Sequence, residues 1–338
     1  RAIELVRARR GGPDAATAVR RRLRPLRYEL EPGAGLPANG EVAKINGAGL
    51  RGAEPETPKR RTRVLCLGDS VTFGYAPGVT DDATYPADLA RRLDPARFEV
   101  INGGMPAFGS LDCLDFLLYK GLALEPDVVV ILAGWNDFNH AHQVDERPPA
   151  VSPLHVLERS ALVRLGKLVV ARLVGPRPTP FDPARERARL ASLPAPGGRL
   201  SDAAFASTGR AIEAMVRACR DHHAVPVLVT YPNFTRDGWD GVDSLADAEL
   251  RPALSALAEI ELSPGALRTY AVTTNRLIRE AAARLDVPLV EGDAIRDPGL
   301  FFDMIHLGPE GNAMLADRVA PAVVRAIDAK KALTHGGP

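Results

Sequence analysis

The chain has 338 residues, enough for one large α/β domain with extensions. Hydrophobic residues make up 46% and charged residues 25%, so a core can form without disulfide or metal staples. With 43 Lys and Arg against 42 Asp and Glu, the net charge of +1 excludes a global field that would select nucleic acid or an anionic surface.

Residues 1–27 break that balance locally, with nine arginines (Arg1, Arg7, Arg9, Arg10, Arg20, Arg21, Arg22, Arg24, Arg27) against Glu4 and Asp14. Such a run is a solvated arm, or a segment beside a membrane tether upstream of Arg1. The first residue is Arg rather than Met, as in a fragment or processed form. No stretch reaches the ~18 continuous apolar residues of a membrane-spanning helix. Extracytoplasmic, anchored and cytoplasmic placements all stay open. Residues 28–60, rich in Gly and Pro with an Asn46-Gly47 turn signal, predict a small irregular or hairpin cap. Together, residues 1–60 read as an N-terminal extension to a domain over 61–330, with a short tail at 331–338.

Five apolar, β-branched runs then predict strands: Arg63–Leu67, Phe98–Asn102, Val128–Ala133, Val225–Tyr231 and Val287–Val290. Helical patterns fall between and after them, over Asp82–Leu93, Ser110–Leu122, Leu267–Leu285 and Pro309–Ala329. This alternation predicts a three-layer αβα sandwich with right-handed crossovers around a parallel sheet. Two insertions interrupt the rhythm. Residues 138–205 contain an apolar helix candidate at Leu162–Val174 and loop-like stretches at Gly175–Pro183 and Leu193–Gly198; residues 232–266 follow the fourth strand. Long insertions at strand ends are where binding loops sit. Cys66, Cys113 and Cys219 are too few and too scattered for a disulfide framework or a metal knuckle.

Four blocks carry chemistry, each just after a predicted strand. The first is Leu67-Gly68-Asp69-Ser70-Val71-Thr72-Phe73-Gly74. A serine at a strand-to-helix turn projects its hydroxyl above the sheet, where helix N–H groups stabilise negative charge. Alone, an Asp-Ser pair is more often a helix cap. The second is Asn102-Gly103-Gly104-Met105-Pro106-Ala107-Phe108-Gly109, whose paired glycines either aim an N–H into a site or make a tight turn. The third, Gly134-Trp135-Asn136-Asp137, offers the Asn136 amide, or an Asx turn. In the fourth, Asp303-Met304-Ile305-His306, a carboxylate three residues before an imidazole can reach its Nδ1 and leave Nε2 free as a base. All four gather at the carboxyl edge of one sheet, where such folds bind ligands.

In this order the blocks resemble those of the SGNH (GDSL-like) hydrolases, over about residues 62–328 as a scaffold, with the insertions uncovered. The resemblance implies a flavodoxin-like five-stranded sheet in 2-1-3-4-5 order and a serine ester hydrolase. Ser70 matches the nucleophile, Asp303 and His306 the rest of its triad, and Gly104 and Asn136 the oxyanion partners of the Ser70 amide. Acyl transfer by such a set calls for no metal or organic cofactor. The same triad would serve an O-acyltransferase acting on a glycan, and the scaffold would also suit a silent glycan- or lipid-binding domain. His140 and His142 lack a partner at metal-ligand spacing, which makes substrate contact by His140 the better functional reading. Trp135 and Phe138 are further candidates for substrate contact. With Phe234 and Trp239 they could line an apolar or sugar-stacking surface, packing being the reading for at least half of the four, and His222-His223 reads as a charge complement at a helix end. The expected partner is a small ester, an acylated glycan or a lipid; its acyl and alcohol parts are not readable from the sequence.

Overall fold

The Asn39-Gly40 pair folds the N-terminal extension back on itself. Both residues take positive φ (53° and 99°), the backbone that a two-residue hairpin turn requires. The computed structural model describes residues 19–20, 26–137, 182–192, 202–250 and 263–335. Within them, β1 (Val19–Arg20) pairs with β2 (Glu29–Leu30), and β3 (Gly35–Ala38) pairs with β4 (Glu41–Lys44) across that turn. The expected hairpin cap is therefore present, but Asn39-Gly40 makes its turn. Asn46-Gly47 closes a smaller loop, in which Asn46 Oδ1 accepts from the Leu50 N–H at 3.0 Å and Ile45 bridges to Arg51.

The main sheet is built from β5 (Thr62–Gly68), β6 (Phe98–Gly104), β7 (Val128–Leu132), β8 (Val225–Val229) and β9 (Leu289–Val290). Their order is β6-β5-β7-β8-β9 and every pairing is parallel, which is the 2-1-3-4-5 arrangement. Every side chain of β7 is buried, as a central strand covered on both faces requires. Gly68 pairs in register with Gly104 on one side and Leu132 on the other. The carboxyl ends of the three strands are thus level, and the blocks that follow them meet.

The helices are α1 (Ser70–Phe73), α2 (Tyr85–Arg92), α3 (Ser110–Phe116), α4 (Pro183–Ala191), α5 (Asp202–Asp221), α6 (Pro264–Leu285) and α7 (Pro309–His335). Thr84 caps α2, its hydroxyl accepting from the Ala87 N–H, and Pro86 suits the unpaired first turn. α2 packs against α7, while α5 packs against both α3 and α6. Helix α3 runs on through a π-helical turn at Leu117–Gly121, and α7 continues through Pro321 and past its expected end at Ala329 to His335. The fifth strand is shorter than the apolar run Val287–Val290, because Val287 is bonded to the end of α6. The helix candidate Leu162–Val174 lies outside the described residues. Among those described, no helix is long and apolar enough to cross a membrane.

Arg51 joins the extension to the main domain. It is buried, and its backbone bridges to Asn102 on β6. Its Nε donates to Asp81 at 2.8 Å, one Nη to the Phe73 and Gly74 carbonyls (3.0 and 2.9 Å), and the other to the Val79 carbonyl at 2.8 Å. Four acceptors on the segment after the Ser70 turn thus depend on one guanidinium. Replacing it strands all of them, so Arg51→Met is expected to lower unfolding stability by about 3 kcal/mol or more. The shift of the urea midpoint measures this, and a variant within about 0.5 kcal/mol of wild type contradicts the clamp.

Candidate active site

Gly68 ends β5 where a side chain has no room. A Cβ there would meet Thr72 Oγ1 at 2.1 Å and the Leu132 carbonyl oxygen at 2.6 Å. The chain passes straight from strand to helix, with Ser70 as the first residue of α1 and Asp69 as its cap, Oδ1 accepting from the Val71 N–H at 2.9 Å. Gly74, at φ 86°, ends the helix after one turn, and the Tyr75 N–H donates to the Ser70 carbonyl at 3.0 Å. The hydroxyl therefore sits where the first-turn N–H groups have no intrahelical partner.

The fourth block closes a tight loop in which Phe301 bridges to Leu307 and the Phe302 N–H donates to the His306 carbonyl. Asp303 Oδ1 accepts the Ile305 and His306 amides (3.1 and 2.9 Å), leaving Oδ2 for His306 Nδ1 at 2.6 Å. His306 Nε2 lies 2.7 Å from Ser70 Oγ. Burial alone would raise the Asp303 carboxyl. The His306 charge and the bonds from its ring and backbone outweigh burial and hold the carboxyl below its ordinary value. With Nδ1–H donated to that carboxylate, Nε2 is the nitrogen that accepts the serine proton. The Tyr75 ring lies edge-on to His306, 6.1 Å between centroids. Chemically, the arrangement can turn a serine hydroxyl into a nucleophile.

Asp69 is buried, and it ties the first block to the third. Its Oδ2 accepts from Tyr231 Oη at 2.8 Å and from Asn136 Nδ2 at 3.2 Å. Burial pushes the carboxyl up to about 6; the Val71 amide, the Tyr231 hydroxyl and His306 oppose that rise, and Asp137 adds to it. Asp137 accepts from the Ser110 N–H and Oγ, both at 2.6 Å, and from Thr208 Oγ1, which ties the third block to α3 and α5.

The oxyanion candidates come out differently from the expectation. The Gly104 N–H donates to Asn102 Oδ1 at 2.9 Å, and a Cβ on Gly104 would lie 2.1 Å from the Phe73 nitrogen. Its glycine is there for close backbone packing against α1, and its amide is already engaged. Among the described residues, the amide of that block with no partner is that of Ala107. Met105–Phe108 has the arrangement of a type II turn: Pro106 at the second position, Ala107 at the third with φ 64°, and the Phe108 N–H donating to the Met105 carbonyl at 3.2 Å. The Pro106 carbonyl accepts from Tyr28 Oη, so across a planar trans peptide the Ala107 N–H points away from Tyr28. Asn136 reaches the site, with Nδ2 also donating to the Phe108 carbonyl at 3.0 Å. Both hydrogens of its amide are therefore held in this structure.

Of the expected substrate contacts, Trp135 is a correction. It is buried against Tyr231 and Tyr270, with ring centroids 5.9 and 5.4 Å away, and its ring belongs to the core. Phe138, His140 and His142 lie outside the described residues. Phe234 and Trp239 are buried edge-to-face at 5.8 Å. His222 and His223 lie exposed in the turn between α5 and β8. Among the described residues, no group of His, Cys, Asp and Glu could hold a metal ion. Sequence reasoning gave no role to Ala107, Tyr28 or Tyr231; a Pro-Ala turn after Asn102-x-Gly104 was the one local signal of the first.

Comparison with known proteins gives a family match and a set of similar solved structures. The model of the GDSL-like Lipase/Acylhydrolase family matches residues 66–314. No curated protein matches the chain. Among solved structures, the chain is similar to an aryl esterase from M. smegmatis at 18% identity, covering 78% of this chain and 99% of that one with a TM-score of 0.46. Est24, a carbohydrate acetylesterase from Sinorhizobium meliloti, is similar at 16% identity over 79% of this chain and 99% of its own, TM-score 0.47. A GDSL-like lipase from Bacteroides thetaiotaomicron is similar at 14% identity over 78% and 89%, TM-score 0.43.

The raised Asp69 carboxyl has a consequence for stability. Its folded value, about 6, lies above the ordinary 3.8, so the folded state holds this proton more tightly and stability falls as pH rises between the two. Relative to Asp69→Asn, wild type is expected to lose about 2 kcal/mol between about pH 4.5 and about pH 7.5. Urea unfolding of both proteins at the two pH values measures the difference; an unchanged difference contradicts the burial of an ionisable Asp69.

Proposed function

The chain belongs to the GDSL-like lipase/acylhydrolase family, a hydrolase acting on ester bonds, and we propose that it acts through Ser70, His306 and Asp303 on a small ester. The observation that carries this reading is the unbroken relay of 2.7 Å from Ser70 Oγ to His306 Nε2 and 2.6 Å from His306 Nδ1 to Asp303 Oδ2. A silent binding domain would have no use for a base so placed on a serine hydroxyl.

In this mechanism His306 Nε2 takes the Ser70 proton as Oγ attacks the ester carbonyl carbon. Asp303, ionised, stabilises the imidazolium and keeps its tautomer. The tetrahedral intermediate collapses with the alcohol leaving on the proton that His306 returns. Water, deprotonated by His306, then attacks the acyl-serine, and a second collapse frees the acid and restores the Ser70 hydroxyl.

The developing oxyanion needs donors, and the Ser70 and Ala107 N–H groups are the two backbone candidates. Asn136 joins them by exchanging its bond to the Phe108 carbonyl for one to the oxyanion, since a charged oxygen is the stronger acceptor. Asp69 keeps the other amide hydrogen and so aims the group.

The test is hydrolysis of p-nitrophenyl acetate and butyrate by the wild type and two variants. Ser70→Ala is expected to lower kcat by at least about a thousandfold. Asn136→Ala is expected to lower it by roughly a hundredfold with KM little changed. Wild-type activity that survives in Ser70→Ala overturns the assignment of the nucleophile; survival in Asn136→Ala alone overturns only the role of that amide.

A further inference from the structure

Residues 27 and 28 lie outside the span 66–314 that the family model matches, yet they hold the loop whose Phe108 carbonyl is bonded to Asn136, the side chain that also reaches Asp69 beside Ser70. We propose that Tyr28 is a positioning residue for acyl transfer: its hydroxyl holds the Pro106–Ala107 peptide in the orientation that presents the Ala107 N–H to the oxyanion. The inference rests on the reading of Ala107 as an oxyanion donor.

Pro at the second position suits type I and type II turns alike, and the two differ by a flip of the central peptide. Type II puts the third residue at positive φ, which favours glycine, and this chain has alanine there at 64°. Left to its local preference, Pro106-Ala107 would take the type I form. That flip would turn the Ala107 N–H to the Tyr28 side and the Pro106 carbonyl oxygen to the opposite side, where an oxyanion would be repelled.

Something outside the turn must therefore select the form observed, and Tyr28 is placed to do so. Its hydroxyl donates to the Pro106 carbonyl, the atom whose direction distinguishes the two forms. Burial raises its pKa well above the ordinary value, so it stays a neutral donor. The ring is fixed edge-on to Phe108, 4.9 Å between centroids at 73°. The neighbouring Arg27 donates to the Ala107 carbonyl at 3.2 Å and to Asp112 Oδ2 at 3.3 Å, and Asp112 also accepts the Gly109 N–H at 3.0 Å. The carbonyls on both sides of the Ala107 nitrogen–Cα unit are thus held from the N-terminal extension.

The experiment compares the full-length wild type with Tyr28→Phe, which keeps the ring and removes the hydroxyl, and with the double variant Tyr28→Phe/Ala107→Gly. Glycine accepts positive φ and restores the type II form without help. Tyr28→Phe is expected to lower kcat roughly tenfold or more while KM stays within about twofold. Affinity for an aryl trifluoromethyl ketone, which forms a tetrahedral adduct with the serine, is expected to fall by the same factor as kcat. The added glycine is expected to recover most of both losses, which a mere packing role for Tyr28 would not allow. Thermal melting of each variant shows that it is folded. Unchanged kcat in Tyr28→Phe, or a loss that glycine does not recover, overturns the inference. A crystal structure of the wild-type ketone adduct separates the two layers: an oxyanion bonded to the Ala107 nitrogen leaves the donor reading standing even when the variants fail, whereas an oxyanion bonded elsewhere overturns both.

Discussion

A carboxylate buried one residue before Ser70 is the constraint around which the site is arranged. Asp69 has no contact with bulk water, and an ionised carboxylate in such a place is costly unless hydrogen bonds satisfy it. Its three donors come from three different parts of the chain: the Val71 amide of α1, the Asn136 side chain after β7, and the Tyr231 hydroxyl after β8. Tyr231 also reaches the Leu132 carbonyl at 3.1 Å, so the ends of β7 and β8 are tied to the turn after β5. Satisfying Asp69 therefore fixes the relative positions of the turn after β5 and the segments that follow β7 and β8. The parallel sheet makes this feasible, because its register leaves Gly68, Gly104 and Leu132 side by side.

The N-terminal extension does the corresponding work on the outer side of the site. Arg51 holds the carbonyls at the end of α1, Asn39 donates to the Tyr75 carbonyl, and Tyr28 with Arg27 holds the turn before α3. Each of these is a side chain reaching a backbone carbonyl at the end of a one-turn helix or in a turn. Such segments have low intrinsic stability and gain order only from contacts of this kind. The first turn of α1 is too short to hold itself by helical bonds, and its ends are held from two sides.

Much of this arrangement was legible in the sequence. The five apolar runs gave strands because a sheet covered on both faces needs continuous burial, and alternation with helices left few topologies to choose from. Ser70, Asp303 and His306 were readable because each contact depends on a local turn plus one shared sheet edge. What was not legible depends on contacts between distant residues. Tyr28 and Pro106 are 78 positions apart, and Tyr231 and Asp69 are 162 apart; nothing near either tyrosine marks it. The paired glycines drew attention to Gly104, whereas the glycine there serves close packing on Phe73 and the engaged amide follows from the Asn102 side chain two residues earlier. Trp135 looked like a pocket wall because tryptophan often is one; Tyr270, brought in by α6, covers it.

In the proposed mechanism the contact between Ser70 and His306 makes that one hydroxyl nucleophilic. Covalent labelling with a fluorophosphonate, read as intact mass and mapped by peptide, tests it most directly, because the reagent needs an activated serine and no particular substrate. One adduct per chain is expected, on Ser70, forming at least about a hundredfold more slowly in His306→Gln. An adduct on another residue, or labelling of Ser70 at an undiminished rate without His306, would contradict it.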